Sequence, residues 1–182
     1  LGKTELFPLL DIPDEMRAVK DDGEIEAIRK SVEIADRAFE YILAYIRPGI
    51  REYEIAAEIE HFMRESGAQG PSFETIVASG WRSSLPHGAA SDRRIEKGDM
   101  VILDYGAVFE GYCSDITRTV FVGGADSKKL EIYNTVLEAQ KRAIERIREG
   151  LYSKEIDGVA RQHIADAGYG ENFGHGLGHG VG

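Results

Sequence analysis

Cysteine, long apolar runs and basic residues are all scarce in this 182-residue chain. A single cysteine, Cys113, excludes an internal disulfide. The longest apolar run, around residues 41–46, is far shorter than the ~20 residues that a membrane-spanning helix needs. The net charge of −10 disfavours nucleic-acid and anionic-membrane partners, because both need a basic surface. With no charged-then-apolar leader at its start, the chain is predicted to be cytoplasmic, without nucleic-acid or membrane partners.

The remaining composition is that of a globular domain with one substantial core, at 42% hydrophobic and 30% charged residues. Residues 1–22 show little hydrophobic periodicity and are predicted to be a lead-in segment. Apolar residues recur every three or four positions over about residues 24–46, 53–65, 130–147 and 154–167, which predicts four amphipathic helices. The organised domain is therefore expected to span residues 23–182.

The two helical pairs are related by one ungapped offset of 101 residues, the distance from Gly49 to Gly150. This offset predicts two copies of one α-α-β unit, the first over about residues 23–123 and the second over about 124–182. If the first unit closes near Val122, the second should close beyond Gly182, so its β-hairpin is expected to be missing. The further matched pairs are Ala38 and Ala139, Ile46 and Ile147, Arg47 and Arg148, Glu54 and Glu155, Ile55 and Ile156, and Gly67 and Gly168.

Residues 98–119, GDMVILDYGAVFEGYCSDITRT, read as a β-hairpin that carries two carboxylates. A two-residue loop at Glu110-Gly111 would put Phe109 opposite Tyr112. The same register puts Asp104 opposite Thr117, with Asp115 one diagonal step from Asp104 on the same face.

Two carboxylates on one small patch would repel each other unless one holds a proton or a cation lies between them. Two divalent cations about 3.5–4 Å apart would remove the conflict and create a hydrolytic site. Solvent-facing strand carboxylates are the alternative. Against it, Asp104 shares its predicted face with Met100 and Ile102, which are ill suited to water, and a buried charge needs a partner.

Three histidines lie in glycine-containing segments. His175 and His179 are four residues apart in NFGHGLGHGVG, where neutral imidazoles could bind a transition metal. A glycine-rich linker with incidental histidines is the alternative. His87, in Leu-Pro-His-Gly, is a lone loop histidine whose residues alone favour a structural role.

Several motifs in fixed order resemble those of the pita-bread metallopeptidases, in the Xaa-Pro aminopeptidase and prolidase branch. They are EMRAVKDDGEIEAIRKS from Glu15, SGWRSSLPHG from Ser79, GDMVILDYG, GYCSDITRT, and HGLGHGVG from His175. The resemblance covers essentially everything from Glu15 onward. It implies an α+β pita-bread fold of two pseudo-symmetric α-α-β halves, of which the second is incomplete here.

The resemblance also implies an activity and a set of roles. Asp104, Asp115 and His179 would bind two divalent metal ions, with Mn²⁺ expected first and Co²⁺ or Zn²⁺ as other options. His87 and His175 would bind substrate and take part in catalysis. The reaction would be exopeptidase cleavage before proline by a metal-bridging hydroxide, the substrate a proline-containing peptide, and the assembly a homodimer.

Two glutamates that complete the family's site downstream of the histidine stretch are absent from this sequence. The chain as written is therefore expected to bind metal weakly and to turn over little or no substrate. Two other interpretations remain open: a methionine aminopeptidase of the same fold, and a non-catalytic pita-bread module that binds peptides or proteins.

Overall fold

The computed structural model describes residues 12–180, in which helices flank a central β region. The helices are α1 (Ile12–Ala18), α2 (Asp22–Leu43), α3 (Glu52–Glu65), α4 (Ser127–Arg146) and α5 (Ser153–Asp166). The strands are β1 (Gly70–Pro71), β2 (Ile76–Ser79), β3 (Met100–Tyr105), β4 (Ala107–Phe109), β5 (Tyr112–Cys113) and β6 (Ile116–Phe121). Short 3₁₀ turns occupy Gly80–Ser84 and Gly170–Asn172.

The strands form two antiparallel sheets, in the orders β1-β4-β5 and β2-β3-β6. The predicted register is confirmed, with Phe109 opposite Tyr112 and Asp104 opposite Thr117. The sequence did not predict how this hairpin is divided between the two sheets. The chain passes from the second sheet to the first at Gly106, between β3 and β4, and returns after β5, so each arm of the hairpin contributes to both sheets.

The main core lies between the helical pair α2–α3 and the sheets. Side chains alternate along β3, so Val101, Leu103 and Tyr105 are buried while the face that carries Asp104 is half-buried. Helix α2 begins at a capping box, in which the Asp21 carboxylate accepts from the Glu24 backbone N–H. Burial of one helical stripe against the sheets fixes the face on which Asp104 lies.

Helix α1 lies inside the predicted lead-in segment, and α2 already begins at Asp22. Because α1 has only seven residues and no buried side chain, it leaves little periodic signal in the sequence. Residues 1–11 of that segment lie outside the described residues. Among the helices of residues 12–180, none has the length and apolar character needed to cross a membrane.

The offset of 101 residues is visible in the backbone of the two helical pairs. At the start of α3 the Glu54 carboxylate accepts a 2.8 Å hydrogen bond from the Arg51 backbone N–H. At the start of α5 the Glu155 carboxylate accepts a 2.9 Å hydrogen bond from the Tyr152 backbone N–H. Both helices end at a glycine with positive φ, 101° at Gly67 and 86° at Gly168. The two helical pairs therefore share their capping geometry, while the predicted boundaries of the halves stay a prediction.

Alanine at Gly67 or at Gly168 is expected to lower the free energy of unfolding by about 1–2 kcal/mol, because both positions need a positive φ. Alanine at Gly158, an interior position of α5 with open space around it, should instead raise it by about 1 kcal/mol. Urea-induced unfolding of the three variants measures the effects. Stabilisation of the protein by Gly67→Ala would contradict the view that a positive φ is required at the glycines that end α3 and α5.

Candidate metal centre

Asp104 and Asp115 meet on one face of the β3–β6 pair. Asp104 lies opposite Thr117, whose hydroxyl donates a 3.0 Å hydrogen bond to the Asp104 carboxylate. Asp115 comes directly before β6, two residues from Thr117, and its charge acts on Asp104. The structure therefore brings together the two carboxylates that the sequence paired.

Burial raises the pKa of the Asp104 carboxyl, and the neighbouring charge of Asp115 raises it further. The hydrogen bond from Thr117 and the charges of His87 and His179 act in the opposite direction, but the pKa stays above its usual range. The fold thus holds a half-buried carboxylate in surroundings that disfavour its charge. A cation beside it would relieve that conflict.

The approach of the two carboxylates depends on Gly106, where the chain leaves β3. A Cβ at Gly106 would lie only 1.8 Å from the Ser114 carbonyl oxygen. That carbonyl accepts a 2.7 Å hydrogen bond from the Ser72 hydroxyl, and the Ser114 hydroxyl donates to the buried Ser31 carbonyl at 3.1 Å. The residue immediately before Asp115 is therefore fixed by contacts with three other parts of the chain.

His87 lies in a loop, as predicted, and its side chain is exposed. Two residues later, Ala89 pairs with Ile76, and Ile76 pairs in turn with Asp104 across β2 and β3. The loop therefore returns beside the strand that borders Asp104. The charge of His87 lowers the pKa of Asp104, which is consistent with this proximity.

Two side chains of α5 hold the glycine-rich histidine segment. They are Arg161 and Asp157, which form an ion pair with each other at 2.7 Å. The Arg161 guanidinium donates to the carbonyl oxygens of Phe173 and His175, each at 2.8 Å. The Asp157 carboxylate accepts from the Leu177 backbone N–H, also at 2.8 Å. These bonds fix the main chain on both sides of His175.

The two histidines of this segment have different surroundings. The His179 Nε2 lies 3.4 Å from the Asp115 Oδ2, so His179 is beside the carboxylate pair. The His175 ring packs edge-on against Phe173, with ring centroids 5.3 Å apart. The last two residues of the predicted motif, 181 and 182, lie outside the described residues.

Carboxylate oxygens and an imidazole nitrogen are ligands that Mn²⁺, Co²⁺ and Zn²⁺ all accept. Asp104, Asp115 and His179 provide such donors, with His179 beside Asp115 and the charge of Asp115 acting on Asp104. Over residues 12–180, however, no three His, Cys, Asp or Glu side chains converge closely enough to hold an ion. The donors therefore fit part of a divalent-metal shell, and their assignment as metal ligands stays a prediction.

Sequence reasoning missed the residues that support the site, chiefly Glu52 and the Asp157–Arg161 pair. Glu52 is fully buried and lies on the inner stripe of α3 with Ile59 and Met63. A carboxylate in line with apolar core positions was the signal that could have found it. For Asp157 and Arg161 the signal was their spacing of four residues on one helix.

Comparisons with known proteins identify the family of the chain. The sequence model of metallopeptidase family M24 matches residues 26–182 of the chain. The chain belongs to family M24. The pita-bread fold expected from the motifs is confirmed by solved relatives that superpose on nearly all of it.

Three relatives illustrate the similarity. The Xaa-Pro dipeptidase of Pyrococcus horikoshii is 52% identical over 172 residues, which are 94% of this chain and 49% of the relative. The structure of the Xaa-Pro dipeptidase from Bacillus anthracis superposes with a TM-score of 0.94 at 52% identity, covering 96% of this chain and 49% of that one. The structure of the X-Pro aminopeptidase from Thermotoga maritima superposes with a TM-score of 0.87 at 49% identity, covering 90% of this chain and 46% of that one. The chain thus spans about half the length of these relatives.

Proposed function

We propose that the complete protein is a dinuclear-metal-dependent exopeptidase that hydrolyses the peptide bond before proline. The observation that carries the proposal is the convergence of Asp104 and Asp115 on one strand face with His179 beside them. The names of the M24 relatives support the substrate class, since they are Xaa-Pro dipeptidases and an X-Pro aminopeptidase. Hydrolysis of dipeptides and removal of an amino-terminal residue from longer peptides both fall within the proposal.

In this mechanism Asp104, Asp115 and His179 would hold the metal ions. Bound there, the ions would supply Lewis acidity to the scissile carbonyl and to water. Thr117 holds the Asp104 carboxylate in place through its hydroxyl. His87 and His175 bind the substrate carbonyl or deliver a proton to the proline nitrogen that leaves.

Manganese is the metal that we propose, because the donors are carboxylates and imidazole without a cysteine thiolate. Assembly as a homodimer and location in the cytoplasm are further parts of the proposal. Both come from the family resemblance and the sequence composition.

The test is hydrolysis of Ala-Pro and of longer Xaa-Pro peptides by the complete protein with added Mn²⁺. In Asp104→Ala, Asp115→Ala and His179→Ala, kcat/KM is expected to fall about a thousandfold or more, because each change removes a group that holds the catalytic ions. His61→Ala, at an exposed position on α3, is the control and should retain the wild-type rate.

Wild-type rates in all three site variants would reject the proposal. Preference for Met-Gly over Ala-Pro would identify a methionine aminopeptidase instead. Peptide binding that persists in a chelator, without hydrolysis of either substrate after metal is added, would identify a non-catalytic module.

A further inference from the structure

A single buried carboxylate joins both ends of the loop that carries His87. The Glu52 Oε1 accepts from the backbone N–H and the hydroxyl of Ser79, each at 2.7 Å. Its Oε2 accepts from the backbone N–H and the hydroxyl of Ser91, at 3.1 and 2.6 Å. Because Ser79 and Ser91 are twelve residues apart, Glu52 closes the intervening chain into a loop, which we call the 79–91 loop.

Arg82 strengthens this closure from within the loop. Its Nε donates to the Glu52 carboxylate at 3.0 Å, and its Nη2 donates to the Ala89 carbonyl oxygen at 2.6 Å. The guanidinium therefore connects the first turn of the loop to its returning arm. The Arg82 guanidinium is largely buried and the Glu52 carboxylate is fully buried. Hydrogen bonds between charged partners are stronger in such surroundings than in water.

The loop held in this way has an exposed outer surface. Trp81 is 71% exposed and Leu85 is 41% exposed, and His87 is exposed beside them. Pairing of Ala89 with Ile76 brings the loop alongside the strand register of Asp104. The buried carboxylate thus fixes the backbone of a segment in which His87 is exposed and its charge acts on Asp104.

We propose that Glu52 is a positioning residue that holds the 79–91 loop, and with it His87, in the geometry that receives the substrate. The catalytic meaning of this assignment rests on the proposed function, whereas the closure of the loop is a property of the chain itself. Fixing the loop before binding removes the ordering entropy that a mobile loop would lose when substrate arrives.

The first test is limited digestion of the protein with chymotrypsin, with cleavage sites identified by mass spectrometry. Cleavage after Trp81 needs only local opening of the loop, whereas cleavage after the fully buried Tyr105 needs opening of the core. In Ser91→Ala and in Glu52→Gln, the rate at Trp81 relative to that at Tyr105 is expected to rise about tenfold. Glu60→Gln, on the same helix, is the matched control and should leave the ratio unchanged.

Trp81 is the only tryptophan, so its fluorescence anisotropy reports on the loop directly and should fall in the same two variants. Ser91→Ala keeps the buried carboxylate and its bonds from Ser79, and it carries the test if Glu52→Gln does not fold. A folded Ser91→Ala protein with an unchanged cleavage ratio and anisotropy would overturn the assignment. A merely structural role would accelerate both cleavages equally and so leave the ratio constant.

The second test is a double-mutant cycle on the activity of the complete enzyme. If Glu52 acts through His87, Ser91→Ala should lower kcat/KM about tenfold in the wild-type background and have little effect in His87→Ala. Fully additive effects would overturn the assignment even in an active enzyme. The two proposals can also fail separately. If the complete protein hydrolyses no Xaa-Pro peptide, but the ratio of chymotryptic cleavage at Trp81 to that at Tyr105 rises in the variants, the proposed function is rejected and closure of the loop by Glu52 is supported.

Discussion

Gly106→Ala is expected to lower the free energy of unfolding by about 4 kcal/mol or more, because the new methyl group would overlap main-chain atoms. Its Cβ would lie 1.8 Å from the Ser114 carbonyl oxygen and 2.7 Å from the carbonyl carbon. A change of rotamer cannot relieve this clash. Relief would require separation of β3 from the segment before β6, which would also move Asp115 away from Asp104.

Urea-induced unfolding monitored by circular dichroism measures the effect. Gly174→Ala is the matched control, because a Cβ at that glycine meets no atom within 4 Å and its φ is not positive. The control should stay within about 0.5 kcal/mol of the wild type. A Gly106→Ala protein with the wild-type unfolding midpoint would show that the two carboxylates do not depend on this close approach.

Glu52→Ala is the second large expected effect, with a loss of about 3–5 kcal/mol at neutral pH. The substitution leaves the Arg82 guanidinium and the backbone N–H groups of Ser79 and Ser91 without their carboxylate partner. Unpaired polar groups in the interior lose their hydration without compensation. Glu60→Ala is the control and should change the free energy of unfolding by less than about 0.5 kcal/mol.

The effect of Glu52→Ala should depend on pH in a defined direction. Burial alone would raise the pKa of Glu52, but hydrogen bonds from Ser91 and Ser79 outweigh it and the pKa is lowered. A carboxyl with a lowered folded-state pKa stabilises the fold above its unfolded value, near 4.3, and this contribution is lost as the pH falls through the folded value. The difference in free energy of unfolding between wild type and Glu52→Ala should therefore be largest at pH 7 and become smaller below about pH 4.

Free energies of unfolding measured from pH 7 to pH 3 check this expectation. Burial alone would raise the pKa of Asp99, but its hydrogen bonds from Arg93 and from the Glu96 backbone N–H lower it. Protonation of Asp99 in acid therefore also weakens the fold. Asp99 is present in both proteins, so the difference reports Glu52 together with the Arg93 and Ser79 contacts that link the two carboxylates. A difference that is the same at pH 7 and pH 3 would contradict an ionised Glu52 in the folded state.

The register of the hairpin could be predicted from sequence because it depends on local chemistry. A two-residue turn at Glu110-Gly111 fixes which residues face each other, and the period of two then carries that pairing to Asp104 and Thr117. The same reasoning found the four longer helices, α2 to α5, whose ends lie within three residues of their predicted positions. Period and turn chemistry were enough for these elements.

The division of the hairpin between two sheets could not be predicted in this way. It depends on contacts of Ser114 with Ser31 and Ser72, residues 83 and 42 positions away in the chain. No local pattern in residues 98–119 records those partners. Glu52 was missed for a similar reason, since its partners lie 27 to 39 residues further on in a loop without periodicity.

The proximity of His179 to Asp115 was beyond residue-level reasoning alone. Glycine-flanked histidines favoured a metal ligand over an incidental linker without indicating which carboxylates they would meet, and only the family motifs assigned His179 to the carboxylates. In the structure its Nε2 lies beside Asp115 because α5 fixes the preceding segment through Asp157 and Arg161. The placement comes from a helix that contributes no metal ligand.

The grip of Asp157 and Arg161 on that segment is made to main-chain atoms only, two carbonyl oxygens and one N–H. The His175 and His179 side chains take no part in it and are exposed. Substitution of either histidine therefore leaves these three main-chain bonds available. The Asp157–Arg161 pair thus sets the path of the main chain independently of the side chains that the segment carries at positions 175 and 179.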